Sequence, residues 1–181
     1  MIITVSGLPG SGTTTASELL SEKTGMKLIS SGEVFREMAM ERDMSLEEFG
    51  DYAEKNEEID KGLDERMVKK AGEGMILEGR LTGYLLDRSE KDAFKVWLKA
   101  PLDVRVDRIA DRERAKDKDT LKKRVVKREK SERKRYQDYY DIDLTDVSIY
   151  DMIVDSEKND PEMIVEKIID GARDEICPGE G

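Results

Sequence analysis

The 181-residue chain has no histidine and a single cysteine, Cys177, and each shortage removes a class of chemistry. Without histidine there can be no Ser-His-Asp or Cys-His nucleophilic centre and no imidazole-ligated metal. One cysteine allows neither a disulfide framework nor a Cys-rich zinc site. Aromatic residues make up only 6% and prolines number four, and no Pro/Ser-rich stretch divides the chain into separate units. No run approaches the roughly 18 apolar residues that a membrane-spanning helix needs. Met1-Ile2-Ile3-Thr4-Val5-Ser6 lacks the basic region of a secretory signal. The expectation is a cytoplasmic protein without membrane contact, folded as one domain over residues 1–181.

Charge, by contrast, is abundant: 41% of residues are charged, and 32 Lys+Arg stand against 42 Asp+Glu, for a net charge of −10. It is unevenly distributed. Between Arg105 and Arg135 there are 15 Lys/Arg and 7 Asp/Glu, and eight of the 14 arginines fall there. A basic segment on an acidic chain suits a polyanion such as a phosphorylated small molecule or a nucleic acid. A solvated, salt-bridged helix pair explains the composition equally well. For a single-stranded nucleic acid, stacking aromatics are expected along the segment, and only Tyr136, Tyr139 and Tyr140 occur, at its end.

Short apolar runs alternate with helical patterns. Strand candidates are Ile2–Val5, Met26–Ser30, Met75–Leu77, Phe94–Leu98 and Met152–Val154. Helical patterns cover 15–23, much of 33–73, 102–115, 120–139 and the residues after Pro161, and Ser45-Leu46-Glu47-Glu48 carries a capping-box signature. Strands separated by helices imply βαβ units and a mostly parallel sheet covered on both faces, an α/β fold.

The strongest chemical signal lies where the first strand ends. Gly7-Leu8-Pro9-Gly10-Ser11-Gly12-Thr13-Thr14-Thr15 has the Gly-x-x-x-x-Gly spacing of a phosphate-binding loop, with a strand before it and a helix after it. Glycines let the loop curl so that successive backbone N–H groups point inward, and the helix adds its partial positive N-terminus. A hydroxyl of Thr14 or Thr15 suits Mg²⁺ bridging nucleotide phosphates. Position 13, where such loops carry lysine, is threonine. The charge that lysine brings must then come from elsewhere, and the basic segment is the obvious source.

Several motifs occur in an ordered series along the chain: the loop, Ser30-Ser31-Gly32-Glu33-Val34-Phe35-Arg36, Leu77-Glu78-Gly79-Arg80, Val106–Arg112 and Arg128–Tyr136. Together they resemble the nucleoside monophosphate kinases, and specifically the short archaeal-type cytidylate kinases, over residues 2 to about 170. That branch also has a Gly-Thr-Thr-Thr loop. The resemblance implies a three-layer P-loop kinase fold, with a five-stranded parallel sheet, an acceptor-side insertion at about 33–73 and a lid at about 112–124. It implies transfer of phosphate from ATP, with Mg²⁺, to CMP or dCMP by a monomer. Another monophosphate kinase such as adenylate kinase, or a nucleotide- or RNA-binding protein without turnover, stays open as an alternative.

By the same resemblance Gly7–Thr15, Arg108 and Arg112 bind ATP, Arg108 by stacking on the adenine. Ser31, Arg36, Arg80, Glu132 and Arg135 bind the acceptor. Arg112 and Arg128 act on the transferring phosphate, and Glu78 holds Mg²⁺ through water. Glu78 and Glu132 stand where relatives of this kind carry Asp. The carboxylates between Asn56 and Glu65 read as a solvated helix face, with contact to a base as the less favoured possibility.

Overall fold

A computed structural model describes residues 1–176; Cys177 lies outside the described residues. All five strand candidates are strands: β1 (Ile2–Gly7), β2 (Lys27–Ser30), β3 (Met75–Glu78), β4 (Ala93–Lys99) and β5 (Met152–Asp155). They form one parallel sheet in the order β2-β3-β1-β4-β5. β1 is therefore flanked on both sides, and every residue in it is buried. An uninterrupted β-branched run such as Ile2-Ile3-Thr4-Val5 suits that central place.

Alternation along the strands separates two cores. Ile3, Val5, Ile76, Val96 and Leu98 face α1 (Thr13–Thr24) and α8 (Pro161–Ile176), meeting Ala16, Leu20, Ile164 and Ile168. Ile2 and Leu77 face the other way, onto α2 (Ser31–Met40), α3 (Leu46–Ala53) and α4 (Glu57–Lys70), where Val34, Met38, Phe49 and Met67 complete the layer. The stretch 33–73 thus resolves into three helices. The capping box at Ser45 is formed: the Glu48 backbone N–H donates to Ser45 Oγ at 3.2 Å, and the Ser45 N–H donates to Glu48 Oε2 at 2.9 Å.

Two further helices shape the site. α6 (Leu102–Glu113) and α7 (Lys118–Tyr140) pack through Val106, Ile109, Ala110, Leu121 and Val125. One helix was absent from the sequence pattern, α5 (Thr82–Arg88). Seven residues are too short to display a period, and Thr-Gly-Tyr is a poor helical start. Burial of Thr82, Gly83, Tyr84 and Leu86 holds it in place. Among the described residues no helix is long and apolar enough to cross a membrane.

Candidate active site

Three of the five motifs follow the carboxyl end of a strand, where open α/β sheets place their ligands, and the other two lie on α6 and α7. β1 runs into the loop Leu8–Gly12, β2 into Ser31, β3 into Gly79 and Arg80, and β5 into Ser156. The loop is pressed against α6: Gly10 has φ +81°, and a Cβ there would lie 2.5 Å from the carbonyl oxygen of Arg105. Only glycine satisfies both conditions. α1 begins at Thr13 with no side-chain cap and no acidic residue in its first turn. Its first N–H groups therefore remain open for an anion. Residues Gly10–Ala16, Arg108, Arg112, Ser156 and Asn159 line a cleft of about 510 Å³ over that helix end.

Arg105, not singled out by the motifs, fastens the loop. It is buried, donates from Nε to the Ala100 carbonyl (3.1 Å) and from Nη1 to the Pro9 carbonyl (3.1 Å), and pairs with Glu129 of α7. Arg108 donates to the Ser156 carbonyl (2.6 Å), to Ser156 Oγ (3.0 Å) and to the Gly10 carbonyl (3.3 Å), and Ser156 Oγ in turn donates to the Ser11 carbonyl (2.7 Å). Both terminal nitrogens of Arg108 are engaged, so the plane of its guanidinium, not its edge, is what it can offer a nucleotide base. Arg112 is exposed at the cleft wall, 4.0 Å from Glu113.

Beneath the loop, Thr13 Oγ1 donates to Glu78 Oε1 at 2.7 Å, and Thr14 Oγ1 lies 3.5 Å from the same oxygen. Thr15 is exposed. Glu78 is buried at 9% exposure. An all-oxygen set of one carboxylate and threonine hydroxyls fits Mg²⁺, which keeps several waters and relies on substrate phosphates. No group of three or more His, Cys, Asp or Glu able to hold a metal exists among the described residues.

The residues expected to bind the acceptor lie on the other flank, and only some of them are joined. A Cβ on Gly79 would lie 2.6 Å from Ser31 Oγ, so glycine lets β3 carry Glu78 and Arg80 past the start of α2. Arg80 pairs with buried Glu132, which also accepts from Arg128 Nε at 2.8 Å. Burial pushes the Arg80 guanidinium down to about 10, still protonated near neutrality. Arg135 Nη1 lies 3.1 Å from Asp60 Oδ2 of α4. Arg80, Arg128 and Glu132 are thus joined directly, while Arg135 belongs to a neighbouring pair. Arg36 stands apart, exposed on α2.

The carboxylates of α4 depart from the expected solvated face. Glu58 and Glu65 are exposed, but Asp60 and Asp64 turn toward α7. Burial raises Asp60 above its usual range and pushes Asp64 up to about 7, against the stabilising effect of the neighbouring Tyr140 hydroxyl. From its ordinary value near 3.8 up to about 7, the folded protein holds a proton at Asp64 that the unfolded chain has lost, so stability falls as pH rises through this window. Asp64→Asn is expected to remove that fall. Thermal melts of both proteins from pH 4 to 8 check it, and parallel Tm profiles would contradict it.

This architecture, a parallel sheet with a phosphate loop after its central strand, defines a P-loop kinase fold. Solved structures agree: a shikimate kinase from Aquifex aeolicus matches with TM-score 0.59 at 20% identity, covering 99% of this chain and 100% of that one. An uncharacterized protein from Eubacterium ventriosum matches with TM-score 0.69 at 21% identity, covering 94% and 96%. The chain belongs to the cytidylate kinase-like family, which matches it over residues 2–158. The cytidylate kinase of Methanocaldococcus jannaschii is 46% identical over 178 residues, 97% of this chain and 99% of that one. The cytidylate kinase of Methanosarcina barkeri is 53% identical over 160 residues, 87% and 88% of the two chains.

Proposed function

We propose that the protein transfers the terminal phosphoryl group of ATP to CMP, and to dCMP, giving ADP and the diphosphate. One observation carries the reading: an open helix N-terminus behind a phosphate loop and the Arg80–Glu132–Arg128 cluster lie at the same end of one sheet. Identity near half to curated cytidylate kinases over most of the chain supports the acceptor. No observation favours adenylate kinase or a binder without turnover.

In this reading residues 1–181 act as one domain, with 33–73 on the acceptor side and 112–124 as a lid. Gly7–Thr15 holds the donor phosphates through those of its backbone N–H groups that proline does not remove, and the plane of Arg108 lies against the donor base. Ser31, Arg36 and Arg80 orient the acceptor phosphate, whose oxygen must attack in line with the departing ADP. Glu132 aims Arg80 and Arg128, and Arg135 completes the acceptor wall. Arg112 and Arg128 meet the negative charge that spreads over the moving group. The Thr14 hydroxyl and, through water, Glu78 would hold Mg²⁺ with ATP, and the ion when bound would supply further charge neutralisation; Thr15 is the less well placed of the two threonines. Closure of the lid excludes water that would otherwise consume ATP. Free nucleotides, not nucleic acid, are then the polyanions the basic segment serves, in a cytoplasmic monomer.

The test is ADP production with ATP and Mg²⁺ against CMP, dCMP, UMP, AMP and GMP in turn. CMP and dCMP are expected to give the highest kcat/KM. Preferential turnover of AMP, or none with any acceptor, overturns the assignment.

A further inference from the structure

The loop carries threonine where a lysine would bring charge to phosphate oxygens, and the side chain at that position does something different. Thr13 has one hydroxyl proton. It is given to Glu78 Oε1 at 2.7 Å, the shorter of the two threonine contacts to that carboxylate. Phosphate oxygens near neutrality are acceptors, so a hydroxyl whose proton is committed to a carboxylate has nothing further to donate to them. The Thr13 methyl packs against Gly7, 3.1 Å from where a Cβ on that glycine would lie. A β-branched side chain wedged in this way has its χ1 fixed, which keeps the hydroxyl aimed at β3. On the other side, Glu78 is buried at the end of β3 and has three side-chain torsions to order. Thr13 and Thr14 are its only side-chain hydrogen-bond partners among the described residues.

We propose that Thr13 is a positioning residue for Glu78: its hydroxyl holds the carboxylate in the orientation that the water shell of the nucleotide-bound divalent cation requires, and only its backbone serves the phosphates. Position 13 and position 78 then act as one unit. Partners that orient the groups around a metal typically change metal affinity by about 10–100-fold when removed. The inference rests on the kinase reading only in so far as the loop binds a nucleotide with its metal.

The experiment measures Mn²⁺ binding to the protein–ADP complex by electron paramagnetic resonance, with no acceptor present. Thr13→Val keeps the shape and the methyl contact while removing the proton; Thr13→Ser keeps the proton; Glu78→Gln and Thr13→Val/Glu78→Gln complete a cycle. Circular dichroism establishes that each is folded, and Thr13→Ala replaces Thr13→Val should the latter fail. Thr13→Val is expected to weaken Mn²⁺ about tenfold, Thr13→Ser to restore the parental affinity, and the double variant to bind no more weakly than Glu78→Gln. Parental affinity in Thr13→Val, or losses that multiply in the double variant, would overturn the coupling. Failure of the protein to phosphorylate CMP would sink the functional reading without touching these values, so the two failures are distinguishable.

Discussion

Arg36→Ala is expected to leave a folded protein that still binds ATP, while kcat/KM for CMP falls more than about 100-fold. The size follows from losing two charge-assisted hydrogen bonds to the acceptor phosphate, together worth roughly 3 kcal/mol, with about 1.4 kcal/mol for each factor of ten. The innocence of the substitution toward folding follows from the structure. Arg36 is exposed on α2, and Glu37 of the same helix and Glu41 at its C-terminal cap are taken by Lys70 and Arg66. Removing a surface cation that makes no ion pair among the described residues leaves no paired carboxylate behind, unlike removal of Arg80 or Arg105. Steady-state kinetics with CMP varied, an ATP-binding titration and a thermal melt together check the prediction. Unchanged CMP kinetics in a folded variant would remove Arg36 from the acceptor site.

The contrast between Arg36 and Arg105 shows where sequence reading reaches its limit. Strands were legible because a parallel strand covered on both faces reads as a short β-branched or apolar run, and the loop because its glycines answer a local backbone demand. Pairing between charged side chains distant in sequence is settled by packing, and composition alone left the basic segment open between ligand site and solvated face. Within it Lys118, Lys122 and Arg124 make exposed pairs, whereas Arg105 is buried against the loop. A signal for Arg105 was nevertheless present. Leu102, Arg105, Val106 and Ile109 follow the i, i+3, i+4, i+7 pattern, so this arginine sits inside the apolar stripe of its helix. Asp60 and Asp64 carry a weaker version of it, each one position beyond Ile59 and Leu63 on the inward face of α4. For Glu132 the partner four positions away, Arg128, was legible from helical spacing, but Thr13 reaches Glu78 and Arg80 reaches Glu132 across 65 and 52 positions of chain, which no local pattern announces.

The charge that a loop lysine would bring is expected to come from Arg112 and Arg128. Arg112, on the last turn of α6, and Arg128, in the middle of α7, stand on either side of the turn that joins the two helices. Both side chains are largely exposed, at 70% and 64%. Neither is needed to complete a core, so alanine at either position leaves the fold intact. If they supply the charge, each alanine variant lowers the single-turnover rate about 100-fold or more, the scale of losing one preorganised donor to transition-state charge. ATP affinity changes far less, because the cations act chiefly when charge moves. Arg128→Ala has a second consequence, since Glu132 then keeps only Arg80, and KM for CMP rises as well. Thr13→Lys tests the compensation from the other side. A lysine there lies next to buried Glu78, which draws part of its charge, so rescue of either arginine variant is expected to be partial. Rapid-quench measurements on Arg112→Ala and Arg128→Ala, each with and without Thr13→Lys, separate the contributions. Near-parental rates in both arginine variants would mean that loop amides and Mg²⁺ suffice without a lid cation, and that the basic segment serves something other than the phosphoryl transfer step.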